Sequence, residues 1–126
     1  MKTLFFTGLV ASLMMSSTAL LGQGMSVSPE VVKASCKVRD GAVTKSFKIS
    51  SSGKVDLRIS CQADYIKVSP NQIVWGDNKS HSTEVKVVFF PRQNLVNSQP
   101  WKGEIVIQDL LSKRRTTAIY EMKCTY

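Results

Sequence analysis

Ser46–Phe90 reads SFKISSSGKVDLRISCQADYIKVSPNQIVWGDNKSHSTEVKVVFF, and its apolar residues recur at every second position. In an extended backbone Val55, Leu57, Ile59 and Cys61 point one way, while Asp56, Arg58 and Ser60 point the other. A half-buried strand requires this alternation, because successive side chains leave a pleated backbone on opposite faces. Phe47 and Ile49 begin the pattern, and Val85, Val87 and Phe89 resume it. Between them YIKV (Tyr65–Val68) leads across Ser69-Pro70-Asn71 into QIVW (Gln72–Trp75). Ser51-Ser52-Gly53 and Gly76–Ser82 supply turns, and Pro91 ends the last ladder by withholding a donor.

The same period extends outward in both directions. Val32, Ala34, Cys36 and Val38 alternate with Lys33, Ser35, Lys37 and Arg39, and Asp40-Gly41 follows as a turn. Beyond the Asn94–Pro100 loop, Gly103–Gln108 carries Ile105 and Ile107 on one face. SKRR (Ser112–Arg115) reads as a hairpin tip, and Thr117–Tyr126 closes the domain with Ala118, Tyr120, Met122 and Cys124 inward. No segment sustains a helical apolar period over three turns. The spacing therefore predicts an all-β domain over residues 25–126, a single immunoglobulin-like β-sandwich of about seven strands.

The first 24 residues follow a different rule. Met1-Lys2 is a short positive start, TLFFTGLVASLMM (Thr3–Met15) is apolar and uncharged, and small residues precede cleavage points after Ala19 and after Gly24. This is the pattern of a secretory signal peptide, with an uncleaved anchor as the alternative for so apolar a run. Export places the domain in the periplasm, in the medium or at the cell surface, with no transmembrane segment once the signal is removed.

The sequence carries 17 Lys and Arg against 9 Asp and Glu, and only Lys2 among these lies in the first 24 residues, so the remainder has a net charge of +7. A basic surface either attracts anionic partners or keeps strand faces soluble and edges unpaired. The densest cluster is Lys113-Arg114-Arg115, whose guanidinium forks suit phosphate or carboxylate groups. An exported chain excludes nucleic acid as its partner.

The usual residue patterns of catalysis are missing. His81, the only histidine, sits among polar residues in DNKSHS, and there is no nucleophile elbow, phosphate loop or metal-spaced cluster of His, Cys, Asp and Glu. No cofactor or metal is implied, and an enzyme is not expected. Trp75 and Trp101 flank loops, as lids on the core or as platforms for sugar rings. If alternation holds through Phe89, Val88 and Phe90 face outward as a patch for a protein partner; a bulge near Pro91 would instead return Phe90 to the core.

SVSPEVV, KSFKISSSGKVDLRISCQADYIKVSPNQIVW, STEVKVVFFP and KGEIVIQD together resemble the bacterial Ig-like modules of the Hydin-like, BACON and pilus-chaperone-like (PapD-like) group. The resemblance implies the sandwich fold and a role as spacer, docking surface or binding domain. It carries over no functional residue, since the three cysteines are not part of the group's pattern and a pilus chaperone has a second Ig-like domain. An oxidising compartment lets two of Cys36, Cys61 and Cys124 pair, in any of three ways. If the first strand runs beside the last, as is common in Ig-like sandwiches, Cys36–Cys124 is the disulfide and Cys61 the free, buried thiol. The expectation is an exported, non-catalytic Ig-like domain of the bacterial cell envelope that works by protein–protein contact or as a structural component. The alternative is a binding module for an anionic glycan or lipid surface through Lys113, Arg114 and Arg115.

Overall fold

The computed structural model describes residues 25–126. They form nine strands: β1 Ser26–Ser28, β2 Val31–Lys37, β3 Val43–Ser52, β4 Val55–Cys61, β5 Ile66–Ser69, β6 Gln72–Trp75, β7 Ser80–Phe89, β8 Trp101–Asp109 and β9 Arg115–Thr125. The helical elements among these residues are two 3-10 turns, Val38–Asp40 and Gln93–Leu95. Strands β1-β3-β7-β5 make one sheet and β2-β9-β8-β4-β6 the other, giving the all-β, two-layer sandwich that the alternation predicts. The expected signal peptide and both cleavage points lie outside the described residues.

The count of nine corrects the expected seven, and two prolines account for the difference. A proline cannot donate to a ladder, so a strand that reaches one has to end or move to an edge. The N-terminal stretch divides at Pro29, with β1 beside β3 in the four-stranded sheet and β2 beside β9 in the five-stranded one. YIKV and QIVW divide at Pro70 in the same way, β5 pairing with β7 and β6 with β4. The β2–β9 pairing is parallel, from Val31 opposite Ile119 to Lys37 opposite Thr125, while the other strand pairs are antiparallel.

The core lies between the sheets and uses the positions that period 2 selects. Ile49, Leu57, Val85, Val87, Phe89, Ile105, Ile107 and Met122 have no exposure at all. Each such side chain contributes about 1.5–3 kcal/mol by leaving water. Trp75 and Trp101 pack half-buried against this core as lids. Gly53 closes the turn between β3 and β4 at φ +88°, a left-handed conformation that favours glycine, and its N–H donates to Lys79 O at 3.2 Å.

One polar cluster bridges the sheets inside this core. The hydroxyls of Tyr65, just before β5, and Tyr120 on β9 are 2.8 Å apart, and their rings meet edge to face at 6.1 Å. Burial, reinforced by that hydrogen bond, pushes the Tyr120 phenol well above its ordinary pKa, so it stays protonated. Trp101 stands edge-on to Tyr65 at 6.3 Å and donates its Nε1–H to Leu95 O at 2.7 Å. Gly103, opposite Tyr120 in the ladder, leaves the space for that ring, since a Cβ there would fall 2.5 Å from Tyr120 Cε2.

Residues 25–126 expressed alone give a β-type circular dichroism spectrum and one cooperative urea transition, because they form two complete facing sheets with a continuous buried core between them. Gly103→Ala lowers stability by about 1–3 kcal/mol through overpacking. Tyr120→Phe costs about 1–2 kcal/mol by leaving the Tyr65 hydroxyl unpaired. Adding Tyr65→Phe to it costs less than the sum of the singles in the same urea titrations.

Candidate functional site

Edge and groove geometry follow from the split at Pro29. β1 pairs only with Lys48–Ser50 of β3. Along Val43–Phe47, β3 therefore has β7 on one side and, among the described residues, no strand on the other. A groove of about 410 Å³ opens there, lined by Pro29, Val31 and Lys33 from the departing chain and by Thr44, Lys45 and Ser46 of β3. Glu84 and Lys86 of β7 complete it, and Ser46 Oγ donates to Glu84 Oε2 at 2.9 Å. An edge without a neighbour presents unpaired backbone groups that an extended segment of another chain can complete. Sequence reasoning missed this groove; the available signal was Pro29 interrupting an otherwise continuous apolar alternation.

Val88 and Phe90 lie where alternation places them. Val88 is half-buried on the outer face of the four-stranded sheet, opposite Thr44 on one side and Lys67 on the other. Phe90 is 39% exposed, and its N–H donates to Tyr65 O at 2.9 Å, so the chain stays extended past Phe89 and does not fold Phe90 inward.

The basic cluster sits on the β8–β9 hairpin, but the tip is longer than expected. It runs from Leu110 to Arg114, and Arg115 is already the first residue of β9. Asp109 builds it. Its buried carboxylate accepts from the N–H groups of Asp56 and Leu111, both at 3.1 Å, and from Ser112 Oγ at 2.7 Å. Its backbone also closes the turn: Lys113 N–H donates to Asp109 O, and Asp109 N–H donates to Arg114 O, each at 2.8 Å. Lys113 takes a left-handed φ of 65° within this frame. Lys113, Arg114 and Arg115 are all exposed, with Arg115 3.9 Å from Glu104.

The sequence places His81 in the Gly76–Ser82 turn, and the structure corrects this. It lies on β7, its Nε2 is 2.6 Å from Asp77 Oδ1, and its ring stacks on Trp75 at 5.2 Å. The His81 hydrogen bond, helped by the Lys79 N–H, holds the Asp77 carboxyl below its ordinary pKa. These contacts clamp the β6–β7 turn. Among the described residues, no group of three or more His, Cys, Asp or Glu is placed to hold a metal.

Cys36 and Cys124 are directly opposite in the parallel β2–β9 pair, and both side chains are buried. The structure holds all three cysteines as free thiols, so the expected Cys36–Cys124 disulfide is not formed in it. Burial, and next the neighbouring Cys124, push the Cys36 thiol up in pKa. Cys61 is half-buried at the rim of the core, not fully buried as expected, and burial raises its pKa too.

His81→Ala returns the Asp77 pKa toward the ordinary carboxylate value in a side-chain carboxyl NMR titration. The depressed pKa stabilises the fold above the unfolded-state value, and that contribution fades as pH falls through the folded one. Asp77 is exposed, so the readout is the titration and not the unfolding midpoint.

No family model matches the chain, and no curated protein matches it. Solved structures do. A Caenorhabditis elegans MSP family member, WR4, superposes with a TM-score of 0.56 at 11% identity, over 82% of this chain and 100% of that one. The ASH/PapD-like domain 7 of human CEP192 gives 0.55 at 8% identity, over 87% and 96%. The periplasmic chaperone SfaE gives 0.55 at 5% identity, over 81% of this chain but only 57% of the chaperone. At these identities the likeness is one of fold: an Ig-like β-sandwich similar to MSP, PapD-like and chaperone domains.

Proposed function

We propose that this protein is an exported, non-catalytic Ig-like domain of the bacterial cell envelope that works by protein–protein contact, receiving an extended partner segment along the open edge of β3. The observation that carries this reading is the Val43–Phe47 edge, without a neighbouring strand among the described residues, beside the groove at Pro29 and Val31. Main-chain hydrogen bonds along β3 give such a segment its affinity, and alternate side chains in the groove give it specificity. Lys33, Lys45 and Lys86 around the groove favour a segment with acidic residues beside its apolar ones. Export is inferred from residues 1–24, read as a cleaved signal peptide, and the similarity to a periplasmic chaperone supports a periplasmic setting. Val88 and Phe90 form a second contact patch on the same sheet.

Photo-crosslinking in intact cells tests the reading. A photoreactive residue at Val31 or Lys45 captures one protein repeatedly, whereas the same probe at Lys102, on the outer face of the other sheet, does not. Equal capture from both faces, or none from the groove, overturns it.

In an oxidising envelope Cys36 and Cys124 are expected to join. Two thiols lose two electrons and two protons to a disulfide-donating oxidant, and the spacing of neighbouring strands is compatible with the bond. Closing so long a loop stabilises by about 4–5 kcal/mol in the chain-entropy model. Non-reducing peptide mapping of protein from the envelope shows Cys36 linked to Cys124 and Cys61 open to alkylation. A reductant lowers the urea midpoint of that protein and leaves Cys36→Ser unchanged.

A further inference from the structure

We infer that the pole of the sandwich carrying the β8–β9 tip docks on an anionic phospholipid surface, with Leu110 and Leu111 entering the headgroup region and the surrounding cations holding lipid phosphates. This goes beyond the proposed partner edge and does not depend on it.

The tip presents two adjacent leucines to water, Leu110 at 40% and Leu111 at 60% exposure. Single exposed leucines are ordinary, but two side by side at a hairpin apex form a small insertable wedge. Asp109 keeps the wedge rigid through its three side-chain hydrogen bonds, so little ordering cost is left for docking. Lys113, Arg114 and Arg115 follow directly in the chain and are exposed.

The rest of this pole adds to the same charge. Lys54 lies beside Arg114 across a small cavity, and the Lys79 carbonyl accepts from Gly53, which brings a further exposed lysine to this end. The acidic groups nearby are largely occupied: Asp109 is turned inward, Asp77 is paired with His81, and Asp56 is held by Arg58 at 3.2 Å. Glu104 stands 3.9 Å from Arg115, both more than half exposed, a pairing that water and salt weaken. Met25 lines that cavity with Arg114, so the chain arrives at this pole directly after residues 1–24, whose Thr3–Met15 stretch is apolar and uncharged. The opposite pole carries the C-terminal end of β9, and among the described residues its exposed large hydrophobics, Phe90 and Tyr126, are not adjacent in the chain.

The test is cosedimentation of residues 25–126 with vesicles of phosphatidylcholine alone or mixed with phosphatidylglycerol, at about 0.15 M salt. The domain binds the mixed vesicles and leaves the neutral ones in solution. Lys113→Ala/Arg114→Ala/Arg115→Ala weakens binding about 100-fold, since each cation near an anionic surface contributes about fivefold. Leu110→Ser/Leu111→Ser weakens it about 20-fold, and the part it removes is the part that persists at high salt. Circular dichroism verifies that both variants fold, and groove crosslinking from Lys45 stays as in the parent. No binding to mixed vesicles overturns the inference. So does full retention of vesicle binding by the leucine variant, or binding to heparin without binding to vesicles; either would mark a polyanion site and not a membrane surface.

Discussion

A proline has no N–H to give to a neighbouring strand, and at Pro29 and Pro70 the chain answers this by leaving one sheet and resuming on the other. Much of the architecture descends from those two transfers. Because β1 stops at Ser28, the edge of β3 below it has no strand beside it among the described residues; because β2 starts afresh on the other sheet, it can lie parallel to β9. The groove and the neighbouring cysteines thus have the same origin.

The alternation of apolar and polar residues made the layers legible before any coordinates. Leu57, Ile59, Val87 and Ile105 are buried where period 2 puts them, and Val88 and Phe90 face out by the same rule. What stayed hidden depends on partners far apart in sequence. Nothing local in YIKV and QIVW says that they belong to different sheets. The His81–Trp75 stacking spans only six residues, yet it too is set by the fold, since β6 and β7 belong to different sheets and meet across their turn. Gly103 reads as a weak point in a strand until the Tyr120 ring is seen to need its space.

The two poles of the sandwich differ in chemistry as well as in position. One holds Tyr65, Tyr120, Trp101 and Leu95, aromatic and internally hydrogen-bonded, and serves to lock the sheets together. The other gathers Leu110, Leu111 and a ring of cations on a turn built by one buried carboxylate. The +7 charge is therefore not spread evenly, and its densest run in the chain, Lys113–Arg115, lies on a turn closed by hydrogen bonds to Asp109.

The parallel alignment of β2 and β9 also has a mechanical side. Tension applied between Met25 and Thr125 drags β2 toward one pole and β9 toward the other, along the strand axes. The hydrogen bonds from Val31 to Lys37 then carry the load together, in shear, and do not peel open one after another. A domain held at one end and tugged at the other meets that force with its whole ladder at once.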